Sequence, residues 1–140
     1  MGSERKVRDT MTADPTAIEI DRTVVEAAEF MAKENVGSLP VVENGELVGI
    51  VTDRDLVLQV VARGLDPNNV KVADACTEKP VVATPDEPLD QALQRMAEEQ
   101  VRRLPVVSDG RLVGILAQAD VARTADAEST GQMVEEISEK

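Results

Sequence analysis

Apolar residues in the first half of the chain change from strand-like to helix-like spacing. The segment TAIEI (16–20) alternates as a short β-strand does. The apolar residues that follow recur at the spacing of one helix face: Val24, Ala27, Ala28 and Met31. Thr23 or Asp21 can cap this helix. A strand followed by a helix is therefore predicted.

A hairpin and a second helix are predicted next. In LPVVENGELVGIV (39–51), two β-branched runs flank Asn44-Gly45, a pair that tolerates the positive φ angles of a tight type I′ turn. TDRDLVLQVVAR (52–63) has helical spacing, and Gly64 can end that helix. Its LVLQVVA stretch (56–62) is apolar on more than one face, so we expect it to be covered on all sides. A second copy of the chain in a homodimer or the C-terminal segment of the same chain could cover it.

The same order of elements recurs 65 residues later. Residues 7–57 and 72–122 align without a gap and are identical at 20 of 51 positions. VVAT (81–84) corresponds to the first strand, and Asp109-Gly110 corresponds to the hairpin turn. The duplication predicts one repeat at 1–65 and another at 66–126. Residues 127–140 are predicted to form either a terminal helix or an acidic tail.

The predicted fold class is α/β (α+β), with two β-α-β-β-α repeats. A unit of about 50 residues buries its sheet poorly when it is alone. We therefore expect the repeats to pack about a pseudo-twofold axis and to leave two similar clefts between them.

Composition narrows the classes of function. The chain has 140 residues and a net charge of −12, and Phe30 is its single aromatic residue, so a nucleic-acid binder with a basic stripe or stacking rings is not expected. It has no His and no Tyr, which argues against an enzyme and against a metal centre. No apolar run approaches the roughly 20 residues of a membrane span. The lone Cys76 fits a reducing cytoplasm, where we expect the protein to reside.

The repeat motifs resemble those of a known family. VRDTMT (7–12) and VADACT (72–77) open the repeats, an LPVV strand lies in each, and GIVTDRD (49–55) and GILAQAD (114–120) close the two hairpins. Each half resembles a cystathionine β-synthase (CBS) domain, and the pair resembles a Bateman module. The chain as a whole is similar to stand-alone CBS-pair proteins of the hypoxic-response type.

This resemblance implies a regulatory protein without catalysis. Many CBS pairs bind AMP, ADP, ATP or S-adenosylmethionine between their repeats and respond by a change of conformation or partner. The resemblance also implies a homodimer and a regulated protein that the sequence does not identify. Two other functions stay open. One is an interaction module that binds no ligand, and the other is a nucleic-acid binder, which the negative net charge argues against.

The resemblance carries a set of candidate ligand contacts, and each has a structural alternative. In the family, the closing acid holds the ribose hydroxyls and the hydroxyl residue approaches the phosphate. The candidates are Thr12, Gly37, Ser38, Thr52, Arg54, Asp55, Thr77, Arg102, Arg103 and Asp120.

Those alternatives are ordinary structural roles. Thr52 and Asp55 also match a capping box, and Thr12 and Thr77 can cap a helix or turn. Gly37 can end a helix, and the two arginines can be solvated cations. Cys76 is expected to fill the core rather than to act as a redox sensor.

The closing motifs also predict that the two sites differ. Asp55 and Asp120 supply a carboxylate to each, but Thr52 corresponds to Ala117. We therefore expect the site that contains Asp55 to bind a nucleotide more tightly, unless Arg102 and Arg103 compensate at either site.

Overall fold

The computed structural model describes residues 5–78 and 80–122. It is an α/β protein whose described residues divide into two compact units. The repeat-one unit contains residues 15–78, 80–81 and 109–112, and the repeat-two unit contains residues 5–14, 82–108 and 113–122. The predicted tail, 127–140, lies outside the described residues.

Short elements follow one another along the described chain. A 3-10 turn, Val7–Asp9, precedes β1 (Thr12–Ala13), β2 (Ile18–Glu19), α1 (Val24–Glu34), β3 (Ser38–Glu43), β4 (Glu46–Thr52) and α2 (Asp53–Leu56). A π-helical stretch, Val57–Val61, then precedes α3 (Val72–Ala75), β5 (Thr77–Glu78), α4 (Leu89–Glu99), β6 (Arg103–Ser108) and β7 (Arg111–Ala117). Residues 118–122 are helical.

The repeat-one unit has a four-stranded sheet in the order β5-β4-β3-β2. β2 runs parallel to β3, whereas β3 and β5 lie antiparallel to β4. One face of α1 packs on this sheet through Ala27 and Met31, which are buried with Ile18, Leu39, Val41, Val51 and Val72. This burial of apolar area is the main stabilising contribution to the unit.

The caps of α1 explain its limits. Thr23 accepts a hydrogen bond from the Glu26 N–H, and Glu26 accepts one from the Thr23 N–H, so the predicted cap at Thr23 is confirmed. The helix ends at Asn35, which adopts a left-handed conformation at φ 56°. Asn35 therefore ends the helix, and the alternative role that the sequence suggested for Gly37 is wrong.

The repeat-two unit has the same layout. β7 pairs with β1 and β6, and Ala83 forms a parallel bridge with Val106. The predicted strand VVAT (81–84) is thus reduced to one bridged residue. Pro80 and Pro85 flank it, and a proline has no N–H to extend a ladder of hydrogen bonds.

Both predicted hairpin turns are confirmed. Asn44 and Gly45 have φ angles of 55° and 84°, and Asp109 and Gly110 have φ angles of 53° and 81°. Two successive positive φ angles are the type I′ geometry that matches the twist of the flanking strands.

The second predicted helix of repeat one changes its geometry part-way. α2 ends at Leu56, and Val57–Val61 continue with π-helical hydrogen bonds such as Ala62 N–H to Val57 O at 2.8 Å. Val60 is 1% exposed, but Val57, Leu58 and Val61 are 52%, 44% and 69% exposed. The expected covering on all sides is therefore absent within the described residues.

The first segments of the two repeats are exchanged between the units. Val7, from repeat one, is buried in the repeat-two unit, where its N–H donates to Glu87 O at 3.1 Å. Val72, from repeat two, is buried in the repeat-one unit, where its N–H donates to Arg22 O at 2.8 Å. The boundaries at 65 and 66 describe duplicated sequence, whereas each compact unit draws on both repeats.

Candidate functional site

The carboxyl end of β4 gathers the first group of candidate residues. Ser38 lies opposite Thr52 in the antiparallel pair of β3 and β4. One residue further, the Asp53 N–H donates to Gly37 O at 2.9 Å. A Cβ atom on Gly37 would lie 3.1 Å from Asp53 Oδ2, so the carboxylate of Asp53 lies beside this glycine at the start of α2.

Thr52 and Asp55 form the capping box of α2. The Asp55 N–H donates to Thr52 Oγ1 at 3.0 Å, and the Thr52 N–H donates to Asp55 Oδ2 at 2.9 Å. Thr52 and Asp55 therefore cap α2, which is the structural alternative that the sequence suggested. This role leaves chemical capacity for a ligand, because a hydroxyl that accepts a bond can still donate its proton, and an ionised carboxylate has two acceptor oxygens.

Thr77 joins this group from the other repeat. In β5 it lies opposite Ile50 of β4, two residues before Thr52. A Cβ atom on Gly49 would lie 2.8 Å from Thr77 O and 3.1 Å from Cys76 Sγ. Only a glycine permits this approach, which places Thr77 in a strand rather than at the helix or turn cap that its sequence context also suggested.

The second group of candidates forms at the equivalent place of the repeat-two unit. Thr12, in β1, lies opposite Ile115 of β7. Its hydroxyl donates to Asp120 Oδ2 at 3.1 Å. Gly114 corresponds to Gly49, since a Cβ atom there would lie 3.0 Å from Thr12 O and 2.7 Å from Met11 Sδ.

Arg102 and Arg103 belong to this second group. The Gln118 N–H donates to Arg102 O at 2.9 Å, just as the Asp53 N–H donates to Gly37 O. Arg103 begins β6, as Ser38 begins β3. The arginines therefore lie in the same unit as Thr12 and Asp120, an assignment that the sequence left open.

The candidate residues thus divide into two sites, one in each unit. The Asp55 site comprises Gly37, Ser38, Thr52, Arg54, Asp55 and Thr77, and the Asp120 site comprises Thr12, Arg102, Arg103 and Asp120. Sequence reasoning missed Gly49 and Gly114. The sequence did contain a signal for them, because each repeat has a glycine at the same position of the segment LVGI. A glycine inside a strand often marks a close backbone approach.

Cys76 lies beside the Asp55 site. It packs partly buried against the core of the repeat-one unit, as expected. Burial raises the pKa of its thiol, and the negative charges of Glu78, Asp55 and Asp74 raise that pKa further. Such a thiol stays protonated and unreactive at neutral pH.

The family model of the CBS domain matches residues 7–62 and 72–126 of the chain. The chain belongs to the CBS domain family. The two matches coincide with the duplicated segments, so the protein is a CBS pair and the resemblance inferred from its motifs is confirmed.

Relatives of this CBS pair match over most of their length. The uncharacterized protein YlbB of Bacillus subtilis is 45% identical and is covered over 92% of its length by 96% of this chain. Hypoxic response protein 1 of Mycobacterium tuberculosis is 36% identical, with 93% of this chain and 92% of that protein covered. A 33% identical relative in Methanocaldococcus jannaschii is an L-aspartate semialdehyde sulfurtransferase, but 84% of the chain covers only 22% of it.

Solved structures of CBS proteins share the fold. CBSX2 in complex with AMP has a TM-score of 0.78 at 32% identity, over 89% of this chain and 98% of that one. The CBS pair of MJ0100 in complex with 5′-methylthioadenosine and S-adenosyl-L-methionine has a TM-score of 0.75 at 29% identity, with the same shares covered. Adenosine-containing ligands therefore occur in two proteins of this fold.

A third neighbour contains metal. Hypoxic Response Protein I with two coordinated zinc ions has a TM-score of 0.78 at 37% identity, over 85% of this chain and 98% of that one. Within residues 5–78 and 80–122 of this CBS pair, no three His, Cys, Asp or Glu side chains form a group that could hold a metal ion. In that same part of the chain, no helix has the length and apolar character needed to cross a bilayer.

Proposed function

We propose that this CBS pair is a regulatory protein that binds an adenosine-containing ligand at the Asp55 and Asp120 sites. The observation that carries the proposal is the repeated grouping of a hydroxyl and a carboxylate at the carboxyl end of β4 and of β7. The crystallised complexes of CBSX2 with AMP and of MJ0100 with two adenosine derivatives support this ligand class.

The chemistry of each site suits a nucleoside. A carboxylate can accept hydrogen bonds from both hydroxyls of a ribose, as the acid of dinucleotide-binding folds does. Asp55 and Asp120 are assigned this role. Thr52 and Thr77 carry hydroxyls that can donate to a phosphate or to another polar ligand atom. The Thr12 hydroxyl donates to Asp120, so it can accept a hydrogen bond from a ligand. Capping by Thr52 and Asp55 is compatible with these roles, because Oδ1 of Asp55 is not used in the cap.

Binding alone does not make a regulator. A ligand shifts a conformational equilibrium only when it binds the two conformations with different affinities. We propose that the ligand-bound form presents a different surface to a partner protein. We also propose that the protein resides in the cytoplasm and performs no catalysis.

Calorimetric titration with AMP, ADP, ATP and S-adenosylmethionine tests the proposed function. At least one of them should bind with a saturable heat that Asp55→Ala, Asp120→Ala or both variants reduce. Calorimetry suits this protein because it has no Trp and no Tyr to report binding by fluorescence. The proposal fails if none of the four binds, or if neither variant changes the binding.

A second observation favours self-association. An apolar groove of about 410 Å³ in the repeat-one unit is lined by Val24, Val25, Ala28, Glu29, Ala32, Leu56, Val60, Val61 and Pro67. We propose that a second copy of the chain covers the adjoining exposed residues, Val57, Leu58 and Val61, in a homodimer. An interaction module that binds no ligand would still form the homodimer, but it would bind none of the four adenosine compounds.

A further inference from the structure

The two candidate sites differ sharply in charge. Among the described residues, the Asp55 site has three acids, Asp53, Asp55 and Glu78, and one arginine, Arg54. The equivalent positions in the Asp120 site hold Gln118, Asp120, Ala13 and Ala119, and Asp14 follows Ala13 as a second acid. In addition, two arginines stand where the Asp55 site has Gly37 and Ser38.

The two arginines are available to a ligand. Their backbone is fixed by β6 and by the bond from the Gln118 N–H to Arg102 O. Among the residues that the structure describes, no hydrogen bond or ion pair engages either guanidinium group. Arg102 is exposed and Arg103 is half-buried, so within residues 5–78 and 80–122 neither charge is neutralised by an ion pair.

The Asp55 site lies in a negative environment. The carboxylates of Glu78 and Asp55 act on the neighbouring Cys76 thiol, whose pKa they raise after the effect of burial. A Cβ atom on Gly37 would lie 3.1 Å from Asp53 Oδ2, so a third carboxylate lies close to this site. A phosphate brought here meets more acids than cations, and like charges repel.

We propose that the two sites select ligands by charge: the Asp120 site binds a phosphorylated adenosine compound, and the Asp55 site binds an adenosine compound without a phosphate. This inference rests on the proposed function. It reverses the order of nucleotide affinity that the hydroxyl of Thr52 suggested, because two guanidinium groups outweigh one hydroxyl. A hydrogen bond to a charged group is worth about tenfold to a hundredfold in affinity.

Titration with AMP, adenosine and 5′-methylthioadenosine tests the selection. The wild-type protein should bind AMP tightly in one event that Asp120→Ala abolishes and Asp55→Ala spares. It should bind 5′-methylthioadenosine in an event that Asp55→Ala abolishes. Raising the salt concentration should weaken the AMP event more than the other, because the ionic contacts are screened.

Exchanging residues between the repeats makes the test specific. Arg102→Gly with Arg103→Ser gives the Asp120 site the residues of repeat one, and AMP affinity should fall by about tenfold to a hundredfold while adenosine affinity stays within about threefold. Ser38→Arg should raise the affinity of the Asp55 site for AMP. Arg63→Ser removes one exposed cation from another part of the chain and is the control for the loss of positive charge in the double variant.

The outcomes separate this inference from the proposed function. If no adenosine compound binds the wild-type protein, both are wrong. If adenosine compounds bind but the double variant retains the wild-type preference for AMP, only the selection by charge is wrong. The same conclusion follows if Asp55→Ala abolishes the AMP event. Melting temperatures of all variants confirm that they are folded.

Discussion

At the scale of single residues, Thr10 buries a hydroxyl group that has no hydrogen-bond partner within the described residues. Thr10 is 8% exposed, and its Oγ1 has no hydrogen-bond partner among the described residues. The corresponding residue of the other repeat, Ala75, is buried without a polar side-chain atom. A buried polar group without a partner costs about 1–3 kcal/mol.

We expect Thr10→Val to raise the free energy of unfolding by about 1 kcal/mol, because it removes the unpaired hydroxyl and keeps the volume. Urea unfolding followed by far-UV circular dichroism measures this. Thr10→Ser is the control, since it keeps the hydroxyl and loses a methyl group, and it should be less stable than the wild type. A Thr10→Val protein that is clearly less stable would show that the hydroxyl has an unseen partner.

Glu87 and Arg95 form a partly buried ion pair in the repeat-two unit. Arg95 Nη2 donates to Glu87 Oε2 at 2.7 Å, and the Thr84 N–H donates to Oε1 at 2.8 Å. Desolvation favours the protonated acid, but these hydrogen bonds outweigh it and lower the pKa of Glu87 below its ordinary value of 4.5. The pair therefore stabilises the fold above about pH 4.5 and loses this contribution as the pH falls through the lowered pKa.

Glu87→Gln should cost about 1–2 kcal/mol of unfolding free energy at pH 7. The difference from the wild type should shrink as the pH falls below 4.5, and it should be lost at the lowered pKa, where the acid of the folded wild type becomes protonated. Denaturant unfolding at several pH values measures the difference. Glu99→Gln, at an exposed position of α4, should show no such dependence. A constant difference down to the lowest pH tested would contradict the role of the charge.

At the scale of elements, two glycines decide where the short strands β5 and β1 can dock. A Cβ atom on Gly49 would approach backbone Thr77 O to 2.8 Å, a contact that requires β5 to move. At Gly114 the nearest atom is the flexible Met11 side chain, and Thr12 O follows at 3.0 Å. The closer backbone contact makes Gly49 the less tolerant position.

Gly49→Ala should therefore cost about 1–3 kcal/mol, and Gly114→Ala should cost less. Gly37→Ala is the matched control, because the nearest atom to its Cβ is the Asp53 carboxylate, which can rotate away. Thermal unfolding ranks the three variants. Equal effects at all three positions would show that backbone approach is not what these glycines permit.

The exposed apolar residues after α2 carry the prediction of a dimer. Leu58→Glu and Val61→Glu place a charge on the proposed contact face and should convert a dimer, at twice the 15.1 kDa chain mass, to a monomer. Gln59→Glu adds the same charge to an exposed neighbouring position. Light scattering at micromolar protein decides, and a wild type that is monomeric at every concentration rules out the dimer.

At the scale of the whole molecule, the exchange of first segments links each repeat to the unit of the other. Val7 and Val72 are both 0% exposed and occupy equivalent positions. Val7→Ala should destabilise the repeat-two unit, and Val72→Ala should destabilise the repeat-one unit, by about 2 kcal/mol each. The effect of each variant should thus appear mainly outside its own repeat.

Hydrogen exchange read by mass spectrometry measures this crossed pattern. Val7→Ala should speed exchange in residues 82–108, and Val72→Ala should speed it in residues 24–52. Each variant is the control for the other, because local unfolding exposes amides in the cooperative unit that is weakened. Faster hydrogen exchange confined to the repeat that carries the substitution would contradict the placement of each first segment in the unit of the other repeat.

The sequence alone determined the elements that local chemistry specifies. Apolar spacing and the Thr23 cap placed α1, and Asn44-Gly45 and Asp109-Gly110 placed the hairpin turns. The duplicated motifs also placed the chain in its family. The sequence predicted a longer strand at VVAT than the structure has. The flanking prolines limit its ladder of hydrogen bonds, and how far they do so depends on the strand with which it pairs.

Only the tertiary structure decided which candidate residues lie in the same unit. VRDTMT and VADACT are identical at three of six positions, and β4 and β7 are identical at four of seven, so local pattern fits pairing within a repeat and between repeats equally well. The contacts of Val7, Val72, Thr12 and Thr77 settled this, because long-range packing against Gly49 and Gly114 selects one partner. The same packing placed Arg102 and Arg103 in the unit that contains Asp120, so their positive charges lie in one unit and not in the other.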